Sequence, residues 1–101
     1  MTQKEKIIYL AGIVDGEGHF YKPFTKNGRG EGHLYARIVI VQKEPELIEW
    51  IKREFRGSIS FQDNDTGGIY RWAIQGKEAI RIAKELQPYL IVKREQVKRI
   101  L

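Results

Sequence analysis

The run LAGIVDGEG, Leu10 to Gly18, constrains this chain more than any other stretch. It closes an apolar segment, IIYLAGIV, that has the length of a helix, and it ends with two acids set among glycines, Asp15-Gly16-Glu17-Gly18. A glycine inside a helix costs about 1 kcal/mol relative to alanine. Gly12 and Gly16, one turn apart beside Tyr9 and Ile13, therefore read as a face on which another helix approaches to backbone contact, a spacing best known from membrane helices. The competing reading is close packing of this helix within its own domain. A carboxylate at Glu17, where the helix stops, is held in place without being buried. The two properties together suggest an active site built on a helix pair.

The 101 residues amount to one small domain, 1–101, near the low end for a self-sufficient core. No apolar stretch approaches a membrane span, and the opening TQKEK is not a signal peptide, so the expectation is an intracellular protein that is not secreted and has no membrane partner. With no cysteine, disulfides and thiolate metal sites are excluded. A metal site would then rest on carboxylates, which favour hard cations such as Mg²⁺. The net charge of +5 fits a polyanion partner, or else a lysine-rich solvated surface.

Local signals give the order of elements. Thr2 and Glu5 form a T-x-x-E capping box, which starts a first helix at Gln3 with Ile7, Leu10, Ala11 and Val14 as its core stripe. From His19 the period changes to two, and Asn27-Gly28 marks a turn within a long hairpin loop. HLYARIVIVQ reads as one strand, with Leu34, Ala36, Ile38 and Ile40 on one face and His33, Tyr35, Arg37, Val39 and Val41 on the other. Pro45 opens a second helix with Leu47, Ile48, Ile51 and Phe55 buried, and Gly57 ends it.

Strands follow at 58–62, with Ile59 and Phe61 inward, and at 69–75, with Tyr70, Trp72 and Ile74 on the core face. A third helix runs from about Lys77 to Gln87 on Ala79, Ile80, Ala83 and Leu86; a last helix is expected over 92–101. The class is α+β: an αββαββα domain whose four-stranded antiparallel sheet is covered by helices on one face. The other face carries Tyr21, His33, Tyr35, Arg37, Ser60, Gln62 and Arg71, a mixed polar, aromatic and cationic surface.

LAGIVDGEG is similar to the LAGLIDADG motif of homing endonucleases: it keeps the Leu-Ala-Gly opening, two acids two apart, and the closing glycine. The element order resembles the single-motif domain of that family, and LQPYLIVKREQ, Leu86 to Gln96, resembles its LQPFL-x-x-K segment. The resemblance implies a homodimer whose motif helices pack at a two-fold axis through Tyr9, Gly12, Ile13 and Gly16. It implies a saddle-shaped sheet pair over the major groove of a long, nearly palindromic DNA site, and metal-dependent hydrolysis of both strands with 3′ overhangs, as in intron homing.

By position, Glu17 is the metal-binding acid, with the Gly16 carbonyl as a neighbouring ligand. Glutamate stands here where the motif's name has aspartate. Gln42 matches the polar residue that holds water near the metal, and Lys93 the C-terminal basic residue. A second cation found early in the second helix of some members falls near Glu46, so no equivalent is present. Mg²⁺ is the implied cofactor, with Mn²⁺ as a substitute and Ca²⁺ supporting binding without cleavage. Asp15 reads as support, bonding backbone amides rather than reacting.

For recognition, Arg37 and Arg71 suit guanine edges, Gln62 suits adenine, and Tyr21 and Tyr35 suit apolar contacts. Lys22, Lys26 and Arg29 suit phosphates. Thr25, Asn27, His33, Val39 and Ser60 complete the expected DNA surface. His19 reads as a surface residue, and Lys93-Arg94 and Lys98-Arg99 as an exposed helix face or as phosphate contacts. The implied location is with DNA, in a bacterial or archaeal cytoplasm or an organelle. Two alternatives share the fold: an intron RNA-binding maturase that cuts nothing, and a non-cleaving DNA-binding regulator, which the lack of an appended helix-turn-helix segment argues against.

Overall fold

A computed structural model describes residues 1–22, 24–26 and 32–101. The first helix, α1 (Gln3–Glu17), begins on the expected capping box: Glu5 N donates to Thr2 Oγ1 at 3.1 Å and Thr2 N donates to Glu5 Oε1 at 2.7 Å. All four residues of its expected stripe are buried. The helix turns directly into a strand at Gly18. A Cβ there would lie 2.9 Å from Val14 Cα, so the close approach itself requires glycine.

The strands are β1 (Gly18–Tyr21), β2 (Phe24–Lys26), β3 (Gly32–Leu34), β4 (Arg37–Gln42), β5 (Ser58–Gln62) and β6 (Ile69–Gln75). The main sheet is antiparallel in the order β1-β4-β6-β5, and β2 and β3 pair only with each other. The helices α2 (Pro45–Phe55) and α3 (Lys77–Leu86) pack with α1 on one face of the main sheet. Strand period two sends Phe20, Ile38, Ile40, Trp72 and Ile74 into one continuous core with the helix stripes and with Leu90, Val97 and Ile100 of the tail. Trp72 is fully buried and satisfies its indole by donating Nε1 to Arg56 O at 2.6 Å. Gly57, with φ +88°, is the only residue type the turn after α2 admits, because a Cβ would lie 2.5 Å from that indole nitrogen.

Four expectations are corrected. The tail is not a helix over 92–101: it makes 3₁₀ turns at Gln87–Tyr89 and Gln96–Arg99. The physical reason lies in Asp15, whose carboxylate takes the amides of Ile91, Val92 and Lys93 and bends the chain around the end of α1. The strand read over 33–42 breaks at Tyr35 and Ala36, because β1 and β6 both end their pairing with β4 at Arg37; the Ala36 carbonyl accepts instead from Gly76 N at 2.8 Å. Phe61 is 53% exposed rather than inward, since it lies on the edge strand, where its ring meets Tyr70 and covers Gly68. In α3, Ile82 is buried and Ile80 only partly, a shift of one face. No helix among the described residues is long and apolar enough to cross a membrane.

Candidate active site and nucleic-acid surface

Glu17 is the last residue of α1 and is exposed. Gly18 pairs with Ile40 across β1 and β4, so Gln42, two residues further along β4, runs past the start of β1 and comes beside Glu17. Gln42 shares the parity of Ile38 and Ile40, and its side chain therefore leaves the sheet on the helix side. Its Nε2 donates to Glu17 Oε2 at 2.8 Å. Its Oε1 accepts from Lys43 N at 2.9 Å and Glu44 N at 3.3 Å, which fixes the amide orientation and leaves Nε2 facing the carboxylate.

The other acid of the motif does different work. Asp15 Oδ2 accepts from Ile91 N at 2.8 Å, and Oδ1 from Val92 N at 3.1 Å and Lys93 N at 3.0 Å. Burial acts to raise its carboxyl pKa, yet these three amides and the Lys93 charge together hold it below the usual carboxylate range. Lys93 Nζ donates to Asp15 O at 2.8 Å, one of the last carbonyls of α1, which have no partner within a helix. The ammonium thus lies at the negative end of the helix, on a carbonyl two residues before Glu17.

Gly12 and Gly16 are exposed, and a Cβ on either would meet nothing within 4 Å. Packing inside the domain therefore does not account for them. Ile8 and Tyr9 on the same face are 44% and 51% exposed, whereas Ile13 is half-buried against the core. Beside this face a groove of about 530 Å³ is lined by Met1, Tyr9, Glu44, Glu46, Leu47 and Trp50, with the Tyr9 and Trp50 rings edge to face at 5.1 Å.

The sheet face away from the helices carries Tyr21 on β1, Arg37 and Val39 on β4, Ser60 and Gln62 on β5, and Arg71 on β6. Lys22 is exposed just past β1. Tyr35 sits in the link between β3 and β4, its ring centroid 6.0 Å from Arg37 Cζ. Val39 is only 3% exposed; it floors a cleft of about 380 Å³ bounded by His19, Tyr21, Val41, Arg71 and Arg99. Asn27 and Arg29 lie outside the described residues, and so do the side chains of Thr25, Lys26 and His33.

One contributor went unassigned in the sequence: Gln96 Oε1 accepts from Phe20 N at 2.9 Å, covering the outer edge of β1. Arg99, read as an exposed helix face or a phosphate contact, joins the cleft. Both lie in the tail; only its turn geometry brings them there, and a helical reading hides it. Among the described residues no three His, Cys, Asp or Glu side chains converge. Glu17 with the carbonyls of the last helical turn is an all-oxygen donor set of the kind Mg²⁺ or Ca²⁺ takes.

A family model described as LAGLIDADG endonuclease matches residues 10–96. The fold is similar to that of the homing endonuclease I-CvuI in complex with its target in the presence of Ca, at 22% identity and TM-score 0.78, covering 94% of this chain and 62% of that one. It is similar also to the archaeal intron-encoded homing endonuclease I-Vdi141I complexed with DNA, at 22% identity and TM-score 0.75, covering 95% and 64%. A third is the homing endonuclease I-TnaI, at 21% identity and TM-score 0.71, covering 91% and 66%. The chain thus spans somewhat less than two thirds of the length of these structures. No curated protein sequence matches it.

Proposed function

Because this chain belongs to the LAGLIDADG endonuclease family, we propose that it acts as a homodimeric, site-specific endonuclease on double-stranded DNA. Its 101 residues then form one domain that hydrolyses phosphodiesters with a divalent metal at a long pseudo-palindromic site, leaving 3′ overhangs. The observation that carries the reading is the Glu17 carboxylate, held by Gln42 at the end of an α1 face that exposes Gly12 and Gly16. One carboxylate per chain is too few for a metal cluster, but two copies joined along the glycine face bring two carboxylates together. Supporting DNA as the substrate are the basic charge, the arginines on the open sheet face, and the DNA-bound structures of I-CvuI and I-Vdi141I. Supporting Mg²⁺ as the cofactor are the all-oxygen donors and the I-CvuI structures with Ca and with Mg.

In this mechanism Glu17 and the Gly16 carbonyl would hold the cation, which when bound would supply activation of a water and relief of charge on the phosphate. Gln42 fixes the rotamer of the Glu17 carboxylate and, with its amide oxygen already taken by backbone, has only donors to offer solvent there. Lys93 leaves the Asp15 carbonyl to meet negative charge developing at the phosphate. Asp15 keeps the 91–93 segment within reach of that task.

The test is incubation of the purified protein with Mg²⁺ and a randomised duplex library. Discrete double-strand cuts at one family of near-palindromic sequences support the proposal. Absence of any cut, with tight binding to structured intron RNA instead, selects the maturase reading.

A further inference from the structure

Arg37 and Arg71 converge on a single oxygen. Arg37 Nη1 donates to the Tyr21 hydroxyl at 3.3 Å and Arg71 Nη2 donates to the same hydroxyl at 3.2 Å. The three residues come from β4, β6 and β1, and all lie on the sheet face away from the helices. The ion pairs among the described residues are Lys6–Glu54, Arg53–Glu54, Arg81–Glu85 and Lys98–Glu95, and among these residues neither arginine has a counter-charge. Arg37 Nε, buried, has no hydrogen-bond partner among them either. Two like charges sharing one neutral acceptor repel each other, and such a cluster is stabilised by an electron-rich partner set against it.

The hydrogen-bonding capacity of the cluster decides what that partner is. Guanidinium has donors and no acceptor, so the direction of both bonds is fixed. A phenol oxygen has two lone pairs and one proton. Both lone pairs are engaged by the arginines, and only the proton remains. The hydroxyl, ordinarily donor or acceptor, is thereby made a donor alone.

We propose that Tyr21 is a positioning residue that joins Arg37 and Arg71 into one donor-only reader of guanine. In the major groove guanine shows two adjacent acceptors, N7 and O6. Adenine and cytosine each show an amino donor, which this cluster has no acceptor to meet, and thymine pairs its one acceptor with a methyl group. The selectivity comes from the rejection of amino groups as much as from attraction to guanine. This inference rests on the DNA-binding reading of the sheet face given above.

The experiment is selection of duplexes from a randomised library in Ca²⁺ by the parent, Tyr21→Phe and Arg71→Lys, each first checked for an unchanged unfolding transition. The parent is expected to select a site with a guanine position in each half. Tyr21→Phe keeps the ring and every charge, so the dependence of binding on salt stays the same. It should nevertheless flatten the guanine preference by about tenfold or more at that position alone, the size of a good base contact. Arg71→Lys keeps the charge and loses the fork, and should flatten the same position. If Arg71→Lys alters the profile and Tyr21→Phe leaves it like the parent's, the positioning role is overturned. A uniform loss at every position overturns it as well. If the parent selects no duplex at all, the DNA reading fails before this inference is reached.

Discussion

Gln42 and Glu17 stand 25 residues apart in the chain and meet through a 2.8 Å hydrogen bond from Gln42 Nε2 to Glu17 Oε2. The contact exists because β4 outruns β1 by two residues beyond the Gly18–Ile40 pair. Gln42→Ala removes the donor and also frees the Lys43 and Glu44 amides, which water can take up. Cleavage should fall about 10²-fold, the scale of a misplaced catalytic group, while the unfolding midpoint moves little. Single-turnover cleavage alongside thermal unfolding separates the two effects.

Asp15 should prove structural. Asp15→Ala strips the carboxylate from three amides, and a loss of about 2 kcal/mol in unfolding free energy is expected for these charge-assisted bonds at a partly exposed site. Asp15→Asn, which keeps one acceptor oxygen, should lose less. Denaturant titration measures both. A variant as stable as the parent would leave the bend at 91–93 without its cause.

The acid limb follows from the same residue. Its carboxyl pKa is lower folded than unfolded, despite the opposing effect of burial, because of the three amides and Lys93. A depressed carboxylate stabilises the fold above its unfolded value, about 3.9, and that stability is lost as pH falls through the folded value. The stability gap between the parent and Asp15→Asn should therefore be constant near neutrality and close below about pH 4. Unfolding curves at stepped pH test this, and a gap that widens in acid would reverse the assignment.

Much of the fold was legible because its signals are local. The capping box at Thr2 and Glu5, the α1 stripe and the alternation of β4 need only neighbours in sequence. The tail was not legible: 92–101 has helical spacing, but its amides are claimed by Asp15, 76 to 78 residues away. For the candidate site, Glu17 and Lys93 could be proposed from the motif and the tail segment and Gln42 from its place at the end of a strand, whereas the meeting of Gln42 with Glu17 depends on strand register. The sharing of Tyr21 by two arginines depends on three strands at once, and periodicity says nothing of it.

The glycine face yields opposite signs for folding and assembly. Since a Cβ at Gly12 meets nothing in the lone chain, Gly12→Ala should stabilise the isolated helix by about 1 kcal/mol. In the proposed dimer the same methyl holds the two helices apart. Self-association measured by sedimentation should weaken at least tenfold, a loss of about 1.4 kcal/mol. Unchanged association would remove this face from the interface.

The central claim is that Glu17 carries the metal-dependent cut. Glu17→Gln keeps size and exposure and removes the charge that holds the cation. Cleavage of the selected duplex in Mg²⁺ by parent and variant, with binding followed in parallel in Ca²⁺, tests it most directly. The account predicts that the variant still binds the duplex and that its cleavage falls by at least about 10³-fold, of the order of losing a main source of charge stabilisation. A Glu17→Gln protein that cuts both strands as fast as the parent would contradict it.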